Sequence, residues 1–242
     1  MATVREAGSA AERERYVQDL FRRVAPRYDF LNRLLSFRRD VGWRRFTAAQ
    51  AGLGPGQRVL DIATGTGDLA FELAKFVGPD GQVVGLDFCD EMLVRARDKA
   101  RAAGLDRICR FVQGNALDLP FPDASFDAAT IAFGLRNVVD RDRCLREMRR
   151  VVRPGGRVLV LEFSHPVWPV FRQIYFAYFR YLVPWVGRLI QGDADTYRYL
   201  PETVLEFPDQ EALAGMMRQA GFLDVHYHNL TGGISCLHVG TV

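Results

Sequence analysis

The sequence has little net charge, no long apolar run and no closely spaced cysteines. Its 242 residues carry 32 basic and 29 acidic side chains, and the formal net charge of +3 is too small to indicate a nucleic-acid surface. Because no stretch of about 18 apolar residues occurs, no membrane span is predicted. The first residues resemble neither a secretory signal nor a transit peptide, so we expect a cytoplasmic protein.

The cysteines and histidines do not indicate a metal centre. No CxxC pair occurs, so neither a zinc site nor a redox motif is predicted, and buried reduced thiols are expected at Cys89, Cys109, Cys144 and Cys236. His226 and His228 lie on the same side of a predicted strand. No third ligand accompanies them, so we expect no metal.

The chain is 48% hydrophobic and 25% charged, as is usual for a globular domain. We interpret residues 1–12 as a flexible tail and residues 13–242 as a single domain. Residues 13–50 have helical spacing, interrupted at Pro26, and are predicted to form a cap. Residues 166–208 form an aromatic-rich insert without a strand pattern.

Strand and helix patterns alternate through the main domain. Such alternation predicts a parallel sheet with helices on both faces. The predicted strands are 58–63, 82–87, 110–113, 126–132 and 157–163, and the predicted helices are 68–76, 91–103, 141–152 and 210–220. Two final strands, 224–230 and 234–242, are joined by a short connection that predicts an antiparallel hairpin. The predicted fold is α/β and Rossmann-like, with a mostly parallel seven-stranded sheet that ends in this hairpin.

The stretch VLDIATGTGD, residues 59–68, reads as a buried strand that runs into a glycine turn. Gly65 and Gly67 allow a sharp turn and the close approach of a ligand, and the helix that follows presents its N-terminus to that ligand. Asp87 ends the second strand, twenty residues after Gly67. A carboxylate at this spacing accepts hydrogen bonds from ribose hydroxyls, so a nucleoside site is predicted.

Two ligands fit this turn. Gly65-x-Gly67-x-x-Ala70 satisfies the NAD fingerprint, so an NAD-dependent oxidoreductase stays open at this point. However, Asp61 adds negative charge where a pyrophosphate would bind, and the terminal hairpin departs from a standard NAD domain. S-adenosylmethionine, which has a sulfonium, an ammonium and no phosphate, suits that charge better.

Two residues beside the turn have alternative interpretations. Asn115, just beyond the third strand, is predicted either to bind an adenine edge or simply to favour a turn. Phe88, directly after Asp87, is predicted to pack on the adenine or in the core.

Several further stretches carry a family resemblance. VLDIATGTGDLA is generic, whereas FGLRN (133–137), YRYLPE (197–202) and NLTGG (229–233) are more specific. Through them the sequence resembles the class I S-adenosylmethionine-dependent methyltransferases, and within these the C-methyltransferases of menaquinone and ubiquinone biosynthesis. The resemblance covers nearly the whole chain from about Val17 onward.

The resemblance implies that Thr66, Asp87, Asn115 and Ala116 contact S-adenosylmethionine, and that no metal is required. With the residues considered above, the predicted cofactor site comprises Asp61, Gly65, Thr66, Gly67, Asp87, Phe88, Asn115 and Ala116. Relatives often have a serine at Ala132 and a basic residue at His165. A hydroxyl contact is therefore lost or replaced at Ala132, and any role of His165 is open.

The resemblance also implies a prenylated quinol as the methyl acceptor. The enzyme must hold the ring carbon in line with the methyl group and assist loss of a phenolic proton. Arg136 is predicted to stabilise the phenolate or orient a water, unless it forms a surface salt bridge. Tyr28 is predicted as a lid residue over the cofactor, unless it is a packed aromatic. Glu162 is a further carboxylate near the site, and a non-catalytic S-adenosylmethionine-binding protein stays an alternative.

The segment Trp168–Ile190 interleaves aromatic residues with arginines. It is too interrupted to span a bilayer, so we interpret it as the wall of a tunnel for an isoprenoid tail or as a surface that lies on the membrane. Core packing and a homodimer contact stay open as alternatives. The expected partners are thus a prenylated quinol and, peripherally, the inner face of the cytoplasmic membrane.

Overall fold

The computed structural model describes residues 10–25, 28–177 and 203–242. The N-terminal part contains three helices, α1 (Ala10–Val24), α2 (Tyr28–Leu35) and α3 (Arg39–Gln50). Helix α1 therefore begins inside the stretch predicted to be a flexible tail. The break predicted at Pro26, and residues 178–202 of the aromatic insert, lie outside the described residues.

The main domain has the predicted alternation of strands and helices. Its elements are β1 (Arg58–Ile62), α4 (Asp68–Val77), β2 (Gln82–Asp87), α5 (Asp90–Ala102), β3 (Cys109–Gln113), β4 (Phe126–Ala132), α6 (Arg141–Val151), β5 (Val152–Phe163), α7 (Pro169–Ala177), α8 (Gln210–Gln219), β6 (Leu223–Leu230) and β7 (Ser235–Thr241). The strands form a seven-stranded sheet in the order β3-β2-β1-β4-β5-β7-β6. Strands β1 to β5 are parallel to one another, and β7 runs antiparallel to β5 and β6. The predicted fold is confirmed.

The apolar core lies on both faces of the sheet. Val59 and Leu60 are adjacent in β1, are both fully buried, and belong to different core clusters. The first cluster includes side chains of α3, α4 and α5, and the second includes side chains of α6 and α8. Covering on both faces explains why the strands read as continuous apolar runs. In the part of the chain that is described, no helix is both long and apolar enough to cross a bilayer.

Strand β5 is longer than predicted. The Pro154-Gly155-Gly156 cluster was expected to separate a helix from a strand that begins at residue 157. Instead the strand begins at Val152, which pairs with Phe126 of β4. Gly155 has a left-handed φ of 79°, so the Pro-Gly-Gly residues form an irregular bulge inside the strand. The Gly155 N–H donates to the Val242 carbonyl at 2.8 Å and pairs this bulge with residue 242.

The chain leaves β1 and β4 through two residues that rarely adopt a left-handed backbone. Ala63 has φ 51° and Phe133 has φ 57°. The two strands are neighbours, so the two exits lie side by side at the carboxyl edge of the sheet. Gly134 permits this approach, because an added Cβ would lie 2.6 Å from the Cβ of Ala63.

We expect Gly134→Ala to lower the free energy of unfolding by about 1–3 kcal/mol, because the new methyl group overlaps an atom fixed to the backbone. The matched control is Gly215→Ala in α8, where nothing lies within 4 Å of the new Cβ. That change is expected to be neutral or to stabilise by up to about 1 kcal/mol. Denaturant unfolding measures both, and equal stability of the two variants would contradict the packing described.

Candidate active site

Asp61 holds the glycine turn to two strands from inside the protein. Its side chain is buried, and its two oxygens accept hydrogen bonds from the hydroxyls of Thr64 at 2.6 Å and of Thr130 at 2.7 Å. Burial raises the pKa of Asp61 to about 6, although both hydroxyls act to lower it. Since Thr130 lies in β4, this carboxylate joins the turn, β1 and the neighbouring strand.

Asp87 holds the same turn to β2. Its oxygens accept hydrogen bonds from the backbone N–H groups of Gly65 at 2.8 Å and Cys89 at 3.0 Å. Burial raises the pKa of Asp87 to about 6, against these bonds. An ionised carboxylate has about four acceptor positions, so two backbone donors leave it able to accept hydroxyls from a ligand.

A cavity of about 350 Å³ lies at this edge of the sheet. Small-molecule sites usually have volumes of about 300–1,000 Å³, so the cavity suits a nucleoside-sized ligand. Among the predicted site residues, those that line it are Tyr28, Gly65, Asp87, Phe88, Asn115 and Ala116. The apolar side chains of Leu86 and Leu117 complete part of its wall.

The cavity has the features that S-adenosylmethionine requires. Asp87 offers acceptors for ribose hydroxyls, and the surrounding apolar side chains offer a surface for a flat ring. Gly65 brings bare backbone to the cavity in a left-handed conformation with φ 56°, and an added Cβ would lie 3.8 Å from the ring of Tyr28. The Tyr28 ring therefore packs close to this bare backbone, and the cavity beside them has the volume and the acceptors that fit this ligand.

Thr66 and Gly67, both predicted to contact the cofactor, do not line the cavity. The Thr66 hydroxyl donates to Asp29 of α2 at 2.5 Å. Gly67 begins α4 in a left-handed conformation, and an added Cβ would lie 2.9 Å from Phe71 and 3.1 Å from Phe111. Both residues shape the turn, and their direct contact with cofactor stays a prediction.

The two residues with alternative interpretations both lie in the cavity wall. The side-chain oxygen of Asn115 accepts the backbone N–H of Leu117 at 2.9 Å, so this residue does form the turn that was one of its alternatives. Phe88 is half-buried and meets Phe21 of α1 edge to face, with ring centroids 6.3 Å apart. Phe88 therefore lines the cavity where α1 crosses the end of β2.

Arg136 is buried and paired with Glu162, so it does not form the surface salt bridge considered for it. Its Nη1 lies 2.7 Å from Glu162 Oε1 and donates to the Phe133 carbonyl at 2.5 Å. Its Nε is buried without a hydrogen-bond partner among the described residues. Glu162 also accepts the backbone N–H groups of Arg136 at 3.2 Å and Phe163 at 2.9 Å. The pair fixes the exit of the chain from β4.

Arg136 borders a second cavity of about 430 Å³ rather than the first one. The two cavities share Asn137, Val138 and Val139 in their walls, so they adjoin each other. This edge of the sheet therefore has space for a ligand in the first cavity and for a second reactant beside it.

Tyr28 lies over the glycine turn, a position that fits both of its alternatives, a lid residue and a packed aromatic. Its ring also meets Phe21 edge to face at 6.1 Å. Burial raises the pKa of Tyr28, although the charges of Arg44 and Arg136 act to lower it. The phenol is therefore protonated at neutral pH and is a hydrogen-bond donor there.

Sequence reasoning missed part of the site. Residues of α1, among them Val17, Gln18 and Phe21, line the first cavity, although the N-terminal cap was expected to shield the prenyl chain of the acceptor. Helical spacing predicted the helix, but no local signal indicates which sheet edge a helix crosses. The left-handed exits at Ala63 and Phe133 were also missed, because neither residue type favours that conformation.

The four cysteines are free and buried, which confirms that prediction. His226 and His228 lie with ring centroids 5.5 Å apart. Within the described ranges, no three His, Cys, Asp or Glu side chains are grouped so as to hold a metal ion.

Comparison with solved structures defines the class of fold. A protein from Thermotoga maritima, described as an S-adenosylmethionine-dependent methyltransferase and possible histamine N-methyltransferase, is 22% identical, with a TM-score of 0.62 over 92% of this chain and 98% of that one. A methyltransferase of the same cofactor class from Aquifex aeolicus is 22% identical, with a TM-score of 0.57 over 80% of this chain and 85% of that one. The fold is that of the S-adenosylmethionine-dependent methyltransferases.

Sequence relatives define the family. The chain is 50% identical over 229 residues to the ubiquinone/menaquinone biosynthesis C-methyltransferase UbiE of Serratia proteamaculans, covering 95% of this chain and 91% of that protein. It is 50% identical over 224 residues to the Vibrio vulnificus protein of that name, covering 93% and 86%. Residues 9–242 match the ubiE/COQ5 methyltransferase family, and the chain belongs to that family. It is an S-adenosylmethionine-dependent methyltransferase. The NAD-dependent and non-catalytic alternatives are not supported.

We expect Asp87→Ala to weaken S-adenosylmethionine binding by about 1–3 kcal/mol, because a buried acceptor for the ribose is lost. Asp106→Ala, at an exposed position in the connection after α5, is the control and should leave the affinity unchanged. Titration calorimetry measures both. Unchanged affinity in Asp87→Ala would remove this carboxylate from the binding site.

The stability of the protein should depend on pH through Asp61. The pKa of Asp61 in the folded state is about 6, above its ordinary value of 3.8. A raised folded-state pKa contributes stability that is present below the ordinary pKa and lost as pH rises through the folded pKa. Asp61→Asn cannot ionise, so its free energy of unfolding should rise relative to the original protein by about 1–3 kcal/mol between about pH 4 and pH 7. Chemical denaturation across this range measures the difference, and a constant difference would contradict the assignment.

Proposed function

We propose that this enzyme transfers the methyl group of S-adenosylmethionine to a ring carbon of a prenylated quinol, converting demethylmenaquinol to menaquinol and acting also on the benzoquinol of the ubiquinone pathway. One observation carries the proposal: the 50% identity, over 95% of the chain, to a protein named as a ubiquinone/menaquinone biosynthesis C-methyltransferase. The second cavity supports it in a different way, because it offers space for a second reactant directly beside the cofactor cavity.

In this proposal the protein supplies position and electrostatics. S-adenosylmethionine, when bound, supplies a methyl group already activated by the positive sulfur. Asp87 and the turn at Gly65 hold the nucleoside part, and Tyr28 covers it. Placing the ring carbon in line with the methyl group then provides much of the acceleration.

Arg136 and Tyr28 serve the quinol. A phenolate pushes electron density onto the ring carbon, so a cation or donor near the phenolic oxygen favours the reaction. Arg136 borders the second cavity as a cation, and Tyr28 borders the first with a protonated hydroxyl, so both suit that role. Glu162 is buried, with its oxygens bound by Arg136 and two backbone N–H groups, so we assign it to positioning Arg136 rather than to proton transfer.

The direct test is incubation with isotopically labelled S-adenosylmethionine and each demethylated quinol in turn. We expect label on a ring carbon of the naphthoquinol and on a ring carbon of the benzoquinol. Absence of label from both quinols, under conditions in which the cofactor binds, would contradict the proposal.

We expect Arg136→Lys to reduce turnover at least tenfold, which is about 1.4 kcal/mol of transition-state stabilisation, while cofactor affinity changes less than about twofold. Lysine keeps the charge beside buried Glu162 but lacks the planar fork. Alanine is unsuitable, since removing one partner of a buried pair costs about 3–5 kcal/mol of stability. Arg149→Lys, at an exposed site, is the control. Full turnover of Arg136→Lys would exclude the proposed role.

We also propose that the outer face of α2 and the turn after it contact the membrane peripherally. Phe30, Leu34 and Phe37 are 59%, 43% and 75% exposed, and Arg38 lies beside them in the wall of a surface groove. Apolar side chains with neighbouring cations suit the surface of an anionic bilayer. Part of the aromatic insert shares this exposure, with Trp168 65% exposed.

The double variant Phe30→Ser, Phe37→Ser should float less with phosphatidylglycerol vesicles. It lacks the two exposed aromatic rings that would insert into the bilayer. Leu223→Ser, which is 63% exposed on β6, is the matched control and should float like the original protein. Equal flotation of all three proteins would contradict this surface. The homodimer stays a prediction, which light scattering of the full chain would test.

A further inference from the structure

A cluster of charged groups joins the second helix to the cofactor turn. The Nζ of Lys99, on α5, lies 2.8 Å from Asp29 Oδ2 and 2.5 Å from Asp68 Oδ1, and it donates to the Thr66 hydroxyl oxygen at 3.2 Å. It also lies over the ring of Phe71, 5.6 Å from the centroid. One ammonium group thus contacts three segments of the chain: α2, the glycine turn and the first turn of α4.

Asp29 is held in its ionised form within this cluster. Burial acts to raise the pKa of Asp29, but hydrogen bonds from Lys99 and Thr66 outweigh it, and the pKa is lowered. The side chains of Lys99, Asp29 and Asp68 are 31%, 25% and 21% exposed, so their interactions are only partly screened by water. Arg33 lies 3.6 Å from Asp68 and balances the second carboxylate.

The charged cluster lies next to a residue of the active-site wall. Asp29 is adjacent to Tyr28, whose ring covers Gly65 in the cavity wall. Helix α2 is short, and Leu31 is its buried residue. Tyr28 packs only partly against a small apolar cluster beside it, and the ionic contacts at Asp29 provide a second hold on the same end of the helix.

We propose that Lys99 is a positioning residue for cofactor binding, acting through Asp29 to hold Tyr28 over the turn. Lys99 does not line the cavity, so its effect passes through the closed position of α2. Its loss frees the lid end of α2 and lets bound cofactor leave sooner. The proposal rests on S-adenosylmethionine as the cofactor and is independent of which quinol accepts the methyl group.

The test measures dissociation of S-adenosylhomocysteine from the full chain by stopped flow, without quinol. In Lys99→Met, which keeps the alkyl chain over Phe71, we expect the dissociation rate and Kd to rise about tenfold, because contacts that hold a bound state act mainly on dissociation. The association rate should change less than about threefold. Lys99→Arg keeps a cation at this position, so its dissociation rate should lie close to that of the original protein. The control is Lys75→Met, which removes the chain's other lysine from an exposed pair with Glu72 at 2.6 Å.

A second measurement separates positioning from general destabilisation. In a Tyr28→Ala background the lid ring is absent, so Lys99→Met should add little to the dissociation rate. Independent effects multiply in such a double-mutant cycle, whereas coupled residues do not. If Lys99→Met fails to fold, Asp29→Asn replaces it in the same cycle. Multiplying effects, or an unchanged dissociation rate in the single variant, would overturn the proposal.

Discussion

Two buried carboxylates at the ends of adjacent strands hold the glycine turn, and the rest of the site is built around them. Asp61 binds the hydroxyls of Thr64 and Thr130, and Asp87 binds the N–H of Gly65. Burial raises the pKa of both carboxyls to about 6. Because their hydrogen bonds come from neutral donors, negative charge remains at this edge, where it favours a ligand with a sulfonium and an ammonium group.

The two strand exits that flank the cavity are held by separate polar groups. On the β1 side, Thr66 and Lys99 bind Asp29 and so bring α2 over the turn. On the β4 side, Arg136 binds both Glu162 and the carbonyl of Phe133. Hydrophobic packing sets the sheet, whereas directed hydrogen bonds set the shape of its carboxyl edge. Methyl transfer depends on that shape, because the chemistry requires two reactants in line rather than a strong acid or base.

Much of the fold follows from the sequence, since β4 has its predicted bounds and the hairpin forms at its predicted connection. Patterning reports which face of an element is buried, and it succeeds wherever burial decides the structure. It missed the start of β5, where Pro154 and the two glycines form a bulge that pairs with residue 242 instead of separating the helix from the strand. It also did not reveal that the Thr66 hydroxyl binds Asp29, because the partner lies 37 residues away in the chain.

In the proposed site, the ribose hydroxyls of S-adenosylmethionine donate hydrogen bonds to the carboxylate of Asp87. Hydroxyl donors favour the ionised form of a carboxyl group, so binding should lower a pKa that is about 6 in the free protein. Titration calorimetry at pH 6, in buffers with different ionisation enthalpies, measures the protons exchanged on binding. Release of protons by the original protein should exceed release by Asp87→Asn by up to about half a proton, since Asp61 still titrates near pH 6 in the variant. Equal proton exchange by the two proteins would contradict this role of Asp87.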